Sequence, residues 1–108
     1  MNLDIKGVFE QIKKVQSEME NIKNELSRKI VVGEAGGGMV KAEMNGNNQL
    51  RKVIIADELI AANDKSMIED LVVAAVNKAY QEASELSKNE MGKLKGLVPN
   101  IPGLNLNL

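Results

Sequence analysis

The sequence contains no cysteine, no histidine and no tryptophan, and only one phenylalanine and one tyrosine among 108 residues. The absence of cysteine excludes disulfides and thiolate metal sites, and the absence of histidine removes the commonest metal ligand and the usual general base. The serines therefore have no histidine to activate them as nucleophiles. Base-stacking platforms are also disfavoured, because they need aromatic rings. The composition predicts a protein that is not an enzyme, has no cofactor or metal, and takes no small-molecule substrate.

Long hydrophobic runs are missing as well. The longest uninterrupted apolar run, residues 71–76, is far shorter than the ~20 residues that span a membrane. The first four residues lack the basic and then apolar pattern of a secretion signal. We therefore expect a cytoplasmic protein without a membrane partner. A chain of 108 residues buries a small core, so a second copy would help to stabilise it, and we expect a homodimer.

The N-terminal third of the chain carries a heptad pattern. Apolar side chains recur there at alternating spacings of three and four, which predicts a long amphipathic helix that Asp4 can cap. The stripe can pack against the last helix of the same subunit or between two subunits, and its spacing does not distinguish these alternatives. Its members are Ile5, Val8, Ile12, Val15, Met19, Ile22 and Leu26.

The middle of the chain changes to the periodicity of strands. Residues 30–32 are β-branched, residues 40–44 alternate apolar and charged side chains, and residues 50–56 predict a third strand. The three glycines 36–38 predict a tight turn, because a phosphate-binding loop would need a Lys and a Ser or Thr opening a helix. Asn45-Gly46 predicts a hairpin in which both residues tolerate positive φ. These signals together predict three antiparallel strands in a meander.

The last third returns to a helical pattern. Residues 57–60 predict a single acidic turn, and Asp64 can cap a long second helix that reaches about Met91. Residues 97–108 contain two prolines and no helical period, and we expect this tail to be mobile or draped over the body. The sequence thus predicts an α+β fold in one domain, residues 1–96, followed by the tail. Eight side chains should be buried: Val31, Val40, Ala42, Val53, Ile55, Leu71, Val72 and Ala75.

The formal net charge of −1 conceals an uneven distribution. Residues 57–70 hold five acidic side chains against one lysine. Lys6, Lys13 and Lys14 occupy the helix face opposite the apolar stripe. A basic helix face of this kind is typical of a solvated surface and also of a phosphate-binding surface, and the low pI of about 5.5 favours the former.

Two blocks of sequence resemble the YbaB/EbfC family. The first comprises residues 33–41, Asn45-Gly46 and residues 53–55, and the second comprises residues 69–79. The resemblance covers nearly the whole chain and includes the Pro/Gly motif of residues 101–103. One departure is Ala56, which stands where the family commonly has Asp.

This resemblance implies a homodimer with a tweezer-like pair of long helices that grips double-stranded DNA in the bacterial nucleoid with limited sequence preference. The implied DNA-binding positions are the basic residues of the terminal helices: Lys6, Lys13, Lys14, Lys88, Lys93 and Lys95. Few lysines against phosphates imply weak, salt-sensitive binding. The alternative is a non-catalytic dimeric adaptor that docks a protein partner through residues 57–70 or the apolar tail. A gel shift at two salt concentrations distinguishes the two functions.

Overall fold

The computed structural model describes residues 4–96, and the predicted tail of residues 97–108 lies outside this range. The long helix, the three strands, the short helix and the second long helix occur in the predicted order. A 3₁₀ turn follows them. The α+β fold class is therefore confirmed. The elements are α1 (Ile5–Arg28), β1 (Ile30–Ala35), β2 (Val40–Asn45), β3 (Leu50–Ile55), α2 (Asp57–Ala61), α3 (Lys65–Gly92) and the 3₁₀ turn η1 (Lys93–Gly96).

Both long helices begin directly after the aspartates that the sequence singled out as caps. The Asp4 carboxylate accepts a hydrogen bond from Gly7 N at 3.1 Å, and the Asp64 carboxylate accepts one from Met67 N at 3.0 Å. Each bond satisfies a backbone donor that the first turn of a helix leaves unpaired. The two caps explain why the periodic segments start where they do.

The three strands form an antiparallel sheet in the order β1-β2-β3. Val40 pairs with Ile55 and Ala42 with Val53, with an irregularity in the register between Glu43 and Met44. The inward side chains of β2 are buried, whereas Ile54 on the opposite face of β3 is 39% exposed. The predicted alternation of β2 is confirmed.

Helix α3 lies across one face of the sheet, mainly over β1 and β2. Its contact face consists of Ala75, Ala79 and Ala83, which are fully buried. A Cβ on Gly33 of β1 would overlap the backbone of Ala75 and Ala79, so helix and strand approach as closely as their backbones allow. The small residues place α3 directly on the sheet.

The predicted set of eight buried residues is only partly correct. Val40, Ala42 and Ala75 are fully buried, while the other five are partly buried and pack against this core. The physical reason is that a single helix covers the sheet unevenly, so that side chains at its margins keep contact with solvent. The five are Val31, Val53, Ile55, Leu71 and Val72.

The hairpin between β2 and β3 is present, but its expected backbone conformation is wrong. Positive φ occurs at Asn48 (61°) and not at Asn45 or Gly46. Gly46 is needed for a different reason, because a Cβ there would lie 2.9 Å from the carbonyl oxygen of Leu26. Its N–H instead donates to that oxygen at 2.8 Å, which satisfies a carbonyl at the C-terminus of α1. The hairpin therefore anchors α1 to the sheet.

The side chain of Asn45 completes this anchor from inside the protein. Asn45 is fully buried, and its amide donates to Gln49 Oε1 at 2.7 Å and to the Ser27 carbonyl at 3.3 Å. Its Oδ1 accepts from the backbone N–H groups of Asn47 and Gln49. Burial of an amide that has all these hydrogen-bond partners costs little free energy, and the bonds fix the loop in one conformation.

Candidate nucleic-acid interface

Helix α1 projects from the hairpin end of the sheet, and the molecule is 72 Å long as a result. The C-terminal part of its apolar stripe packs within the subunit: Ile22 and Leu26 form a small core with Leu94, and Met19 packs beside them. The rest of the helix has few contacts with the described sheet and α3. The outer face of this arm is therefore presented to solvent.

The three predicted lysines of α1 lie together on that outer face. Lys6, Lys13 and Lys14 are all exposed, and the seven-residue step between the first two corresponds to about 10.5 Å along the helix axis. None of the three takes part in an ion pair among residues 4–96. Their charges are thus available to an external anion.

A carboxylate lies among these lysines. Glu10 is exposed and stands four residues after Lys6, three before Lys13 and four before Lys14. Side chains at these spacings are neighbours on a helix surface. Glu10 therefore opposes the attraction of this face for phosphate.

The C-terminal candidates divide into two kinds. Lys88 on α3 and Lys95 on η1 are exposed and make no ion pair within the described part of the chain. Lys93 instead contacts Glu90 Oε2 at 3.1 Å, and Lys29 contacts Glu90 Oε1 at 3.3 Å. These hydrogen bonds, first that of Lys93 and then that of Lys29, lower the pKa of Glu90. Lys93 is therefore the least available of the six predicted DNA-binding lysines.

The structure adds two basic residues that the sequence reasoning missed. Lys23 and Arg28 are exposed on α1. Arg28 lies two heptads after Lys14 and so shares its helix position, about 21 Å further along the axis. The heptad count that grouped the first three lysines would have found Arg28 as well. Basic residues therefore occur along the full length of α1, with the exposed Glu10, Glu20 and Glu25 between them.

The acidic residues lie at the other end of the molecule. Strand β3 runs from the hairpin end to Ile55, which pairs with Val40 beside the glycine turn, and α2 and the start of α3 follow there. The contact of Leu71 with Gly36 fixes this placement. Asp57, Glu58 and the other three acids of residues 57–70 are exposed. The sheet thus separates this acidic end from the α1 arm.

Other kinds of site find little support in the described residues. No group of three or more acidic side chains within residues 4–96 is placed to hold a metal ion. A shallow cavity of about 410 Å³ lies along α1 and is lined by Gln16, Met19, Glu20 and Lys23. Within the described range, no helix is long and apolar enough to cross a membrane.

Comparison with known proteins gives a consistent result. Residues 1–98 match the model of the YbaB/EbfC DNA-binding family. A nucleoid-associated protein of Desulfotalea psychrophila is 42% identical over 102 residues, which cover 94% of this chain and 95% of that protein. A nucleoid-associated protein of Caldanaerobacter subterraneus is 42% identical over 101 residues, covering 94% of this chain and 90% of that protein.

The fold is also found in a solved structure. The crystal structure of an uncharacterised protein of Helicobacter pylori superposes with a TM-score of 0.77 at 24% identity, covering 86% of this chain and 98% of that chain. At this identity the likeness supports the fold. The match of the family model over residues 1–98 and the identity to both relatives show that the chain belongs to the YbaB/EbfC DNA-binding family.

Proposed function

We propose that this protein is a nucleoid-associated DNA-binding protein of the bacterial cytoplasm that grips the phosphates of duplex DNA with the outer face of α1. The observation that carries the proposal is the set of exposed lysines on a projecting helix, none of which is used in an ion pair among residues 4–96. Family membership and the names of the relatives support the same function.

The chemistry of such an arm is electrostatic. Lysine ammonium groups attract phosphate oxygens without reading base edges, so binding is largely independent of sequence. Each neutralised phosphate releases counterions, and the affinity therefore falls steeply with salt. Lys6, Lys13 and Lys14 are the principal contacts in this proposal. Lys88 and Lys95 extend the surface, and Lys93 contributes least because Glu90 holds it.

The protein acts in this proposal as a homodimer with two α1 arms. The sheet face opposite α3 exposes Ile30 (50%), Val32 (38%) and Ile54 (39%), and apolar side chains grouped on one exposed face favour contact with a partner. Charges of both signs flank these side chains, with Glu34 and Lys41 3.7 Å apart on the same face. A face that carries both signs can match its own copy across a two-fold axis. A second subunit doubles the phosphate contacts and fixes the spacing of the arms.

Binding to DNA is tested with the full chain and fluorescent duplexes of two unrelated sequences. We expect similar affinities for both duplexes by anisotropy, and a linear fall of log K with log salt. Absence of binding at low salt would reject the DNA function and favour an adaptor that uses the exposed acidic end. Sedimentation equilibrium tests the proposed homodimer. A single species of 11.8 kDa at micromolar concentration would reject it.

A further inference from the structure

Two large apolar side chains are open to solvent in the first two turns of α1. Ile5 is 61% exposed and Phe9 is 60% exposed, although both are residue types that proteins usually bury. They are four residues apart, so their side chains are neighbours on the helix surface. Neither belongs to the hydrophobic clusters formed within residues 4–96. We call Ile5 and Phe9 the apolar tip of α1.

The apolar tip lies directly beside the lysines of α1. Lys6 comes three residues before Phe9, and Lys13 comes four residues after it. At about 100° of rotation per residue, Phe9 is about 60° from Lys6 and about 40° from Lys13 around the helix axis. Both lysines are exposed and make no ion pair within residues 4–96. A polyanion held by these two lysines therefore comes within reach of the Phe9 ring.

The other aromatic side chain of the protein has different surroundings. Tyr80 on α3 is 54% exposed, which is close to the exposure of Phe9. The residues three and four positions away from Tyr80 on the helix are all uncharged: Val76, Asn77, Ala83 and Ser84. Phe9 is thus the aromatic ring of this chain that has cationic neighbours at these spacings. This charge complementarity to a polyanion distinguishes the apolar tip from other exposed apolar side chains.

Duplex DNA carries apolar surface next to its phosphates, because a deoxyribose joins each phosphate to its base. We propose that the apolar tip packs against these sugars while Lys6 and Lys13 hold the adjacent phosphates, an inference that rests on the proposed DNA function. Every nucleotide has this sugar, so the contact adds affinity without reading the sequence. The contact removes apolar area from water and releases no counterions, so it does not contribute to the salt dependence of binding.

Salt titrations of the full chain separate this apolar contact from the electrostatic ones. Phe9→Ala removes apolar area and no charge, so by anisotropy it should bind a duplex about tenfold or more weakly at every salt concentration. The slope of log K against log salt should equal that of the unmodified protein, whereas Lys13→Ala should change the slope. Phe9→Leu keeps a large apolar side chain and should restore most of the affinity. Tyr80→Ala is the matched control, because it removes a similarly exposed ring, and it should leave both affinity and slope unchanged.

Several results would overturn the proposal. Unchanged affinity of Phe9→Ala would assign the apolar tip to a different partner, such as a protein or a lipid surface. A changed salt slope in Phe9→Ala would show that the ring acts through the neighbouring lysines, and a lower mass in sedimentation equilibrium would place it in a contact between subunits. Affinity as low in Phe9→Leu as in Phe9→Ala, or an equal loss in Tyr80→Ala, would also contradict the apolar contact.

The same titrations distinguish failure of this proposal from failure of the proposed function. If the unmodified protein does not bind the duplex at low salt, both the DNA function and the sugar contact are rejected. If the unmodified protein binds and Phe9→Ala binds equally well, the sugar contact alone is rejected.

Discussion

Replacing Lys6, Lys13 and Lys14 together by Ala tests the proposed DNA contact most directly. All three side chains are exposed and unpaired within the described chain, so each change should alter the free energy of unfolding by about 0.5 kcal/mol or less. If each lysine contacts one phosphate, a dimer loses six contacts. The slope of log K against log salt should then become shallower by about 5 units.

That change of slope has a large effect on affinity. When the salt concentration rises fourfold, the affinity of the unmodified protein should fall by about 10³-fold more than that of the triple variant. Unequal engagement of the three lysines reduces this figure, which is an upper limit. Anisotropy titrations of one duplex at four or more salt concentrations provide the measurement, and urea unfolding confirms that the variant is folded.

Lys65→Ala is the matched control for the loss of a positive charge. The Lys65 side chain is 93% exposed and lies 3.9 Å from Glu69 at the acidic end of the molecule. Its removal should leave the salt slope unchanged, whereas Lys13→Ala alone should lower the slope by up to about 2 units in a dimer. A triple variant that retains both affinity and salt slope would refute the assignment to α1. Contacts would then have to come from Lys88 and Lys95, or the DNA function itself would fail.

Four further changes have defined outcomes. Ala56 is the N-cap of α2 and makes no side-chain hydrogen bond, so Ala56→Asp should raise the free energy of unfolding by about 1 kcal/mol in urea titrations. Gly46→Ala should lower the free energy of unfolding by about 1–3 kcal/mol, because the new methyl group would overlap Leu26 of α1. Gly92→Ala is the control and should not lower the free energy of unfolding, because there is open space around Gly92. Glu10→Gln should increase DNA affinity in anisotropy at low salt, because it removes a carboxylate from the lysine face. The pKa of Glu90 is lower in the folded protein than in the unfolded chain. The ionised Glu90 carboxylate therefore stabilises the folded state at pH values above the unfolded pKa, and this stabilisation is lost as the pH falls through the folded pKa. Unfolding curves of the unmodified protein and the Glu90→Gln variant should therefore differ at neutral pH and converge as the pH falls below the folded pKa of Glu90.

Local pattern was sufficient to predict most of the fold. The heptad spacing located α1, the two aspartates located the starts of α1 and α3, and the alternation in residues 40–44 assigned the core face of β2. These features depend on residues close together in the sequence. The same helical geometry placed Lys6 and Lys13 on one exposed face.

Features that depend on distant residues could not be predicted in this way. Gly46 is required by Leu26, twenty residues earlier, and no local rule for hairpins contains that contact. The spacing of three between Glu90 and Lys93 could have indicated their ion pair, but no local pattern contains the second contact of Glu90, with Lys29, which is 61 residues away. The half-buried state of Val53 likewise depends on where α3 crosses the sheet.

The low pI and the proposed DNA contact are compatible because the charges are separated in space. The acidic residues 57–70 lie at the glycine-turn end of the sheet, and α1 departs from the opposite end. Six-residue strands alone separate the two by about 20 Å, and the α1 arm adds up to about 36 Å. Screening at physiological salt has a length of about 8 Å, so a phosphate at the arm experiences the lysines beside it and little of the distant carboxylates. In the proposed function, the local charge on α1 therefore matters more for DNA binding than the net charge of −1.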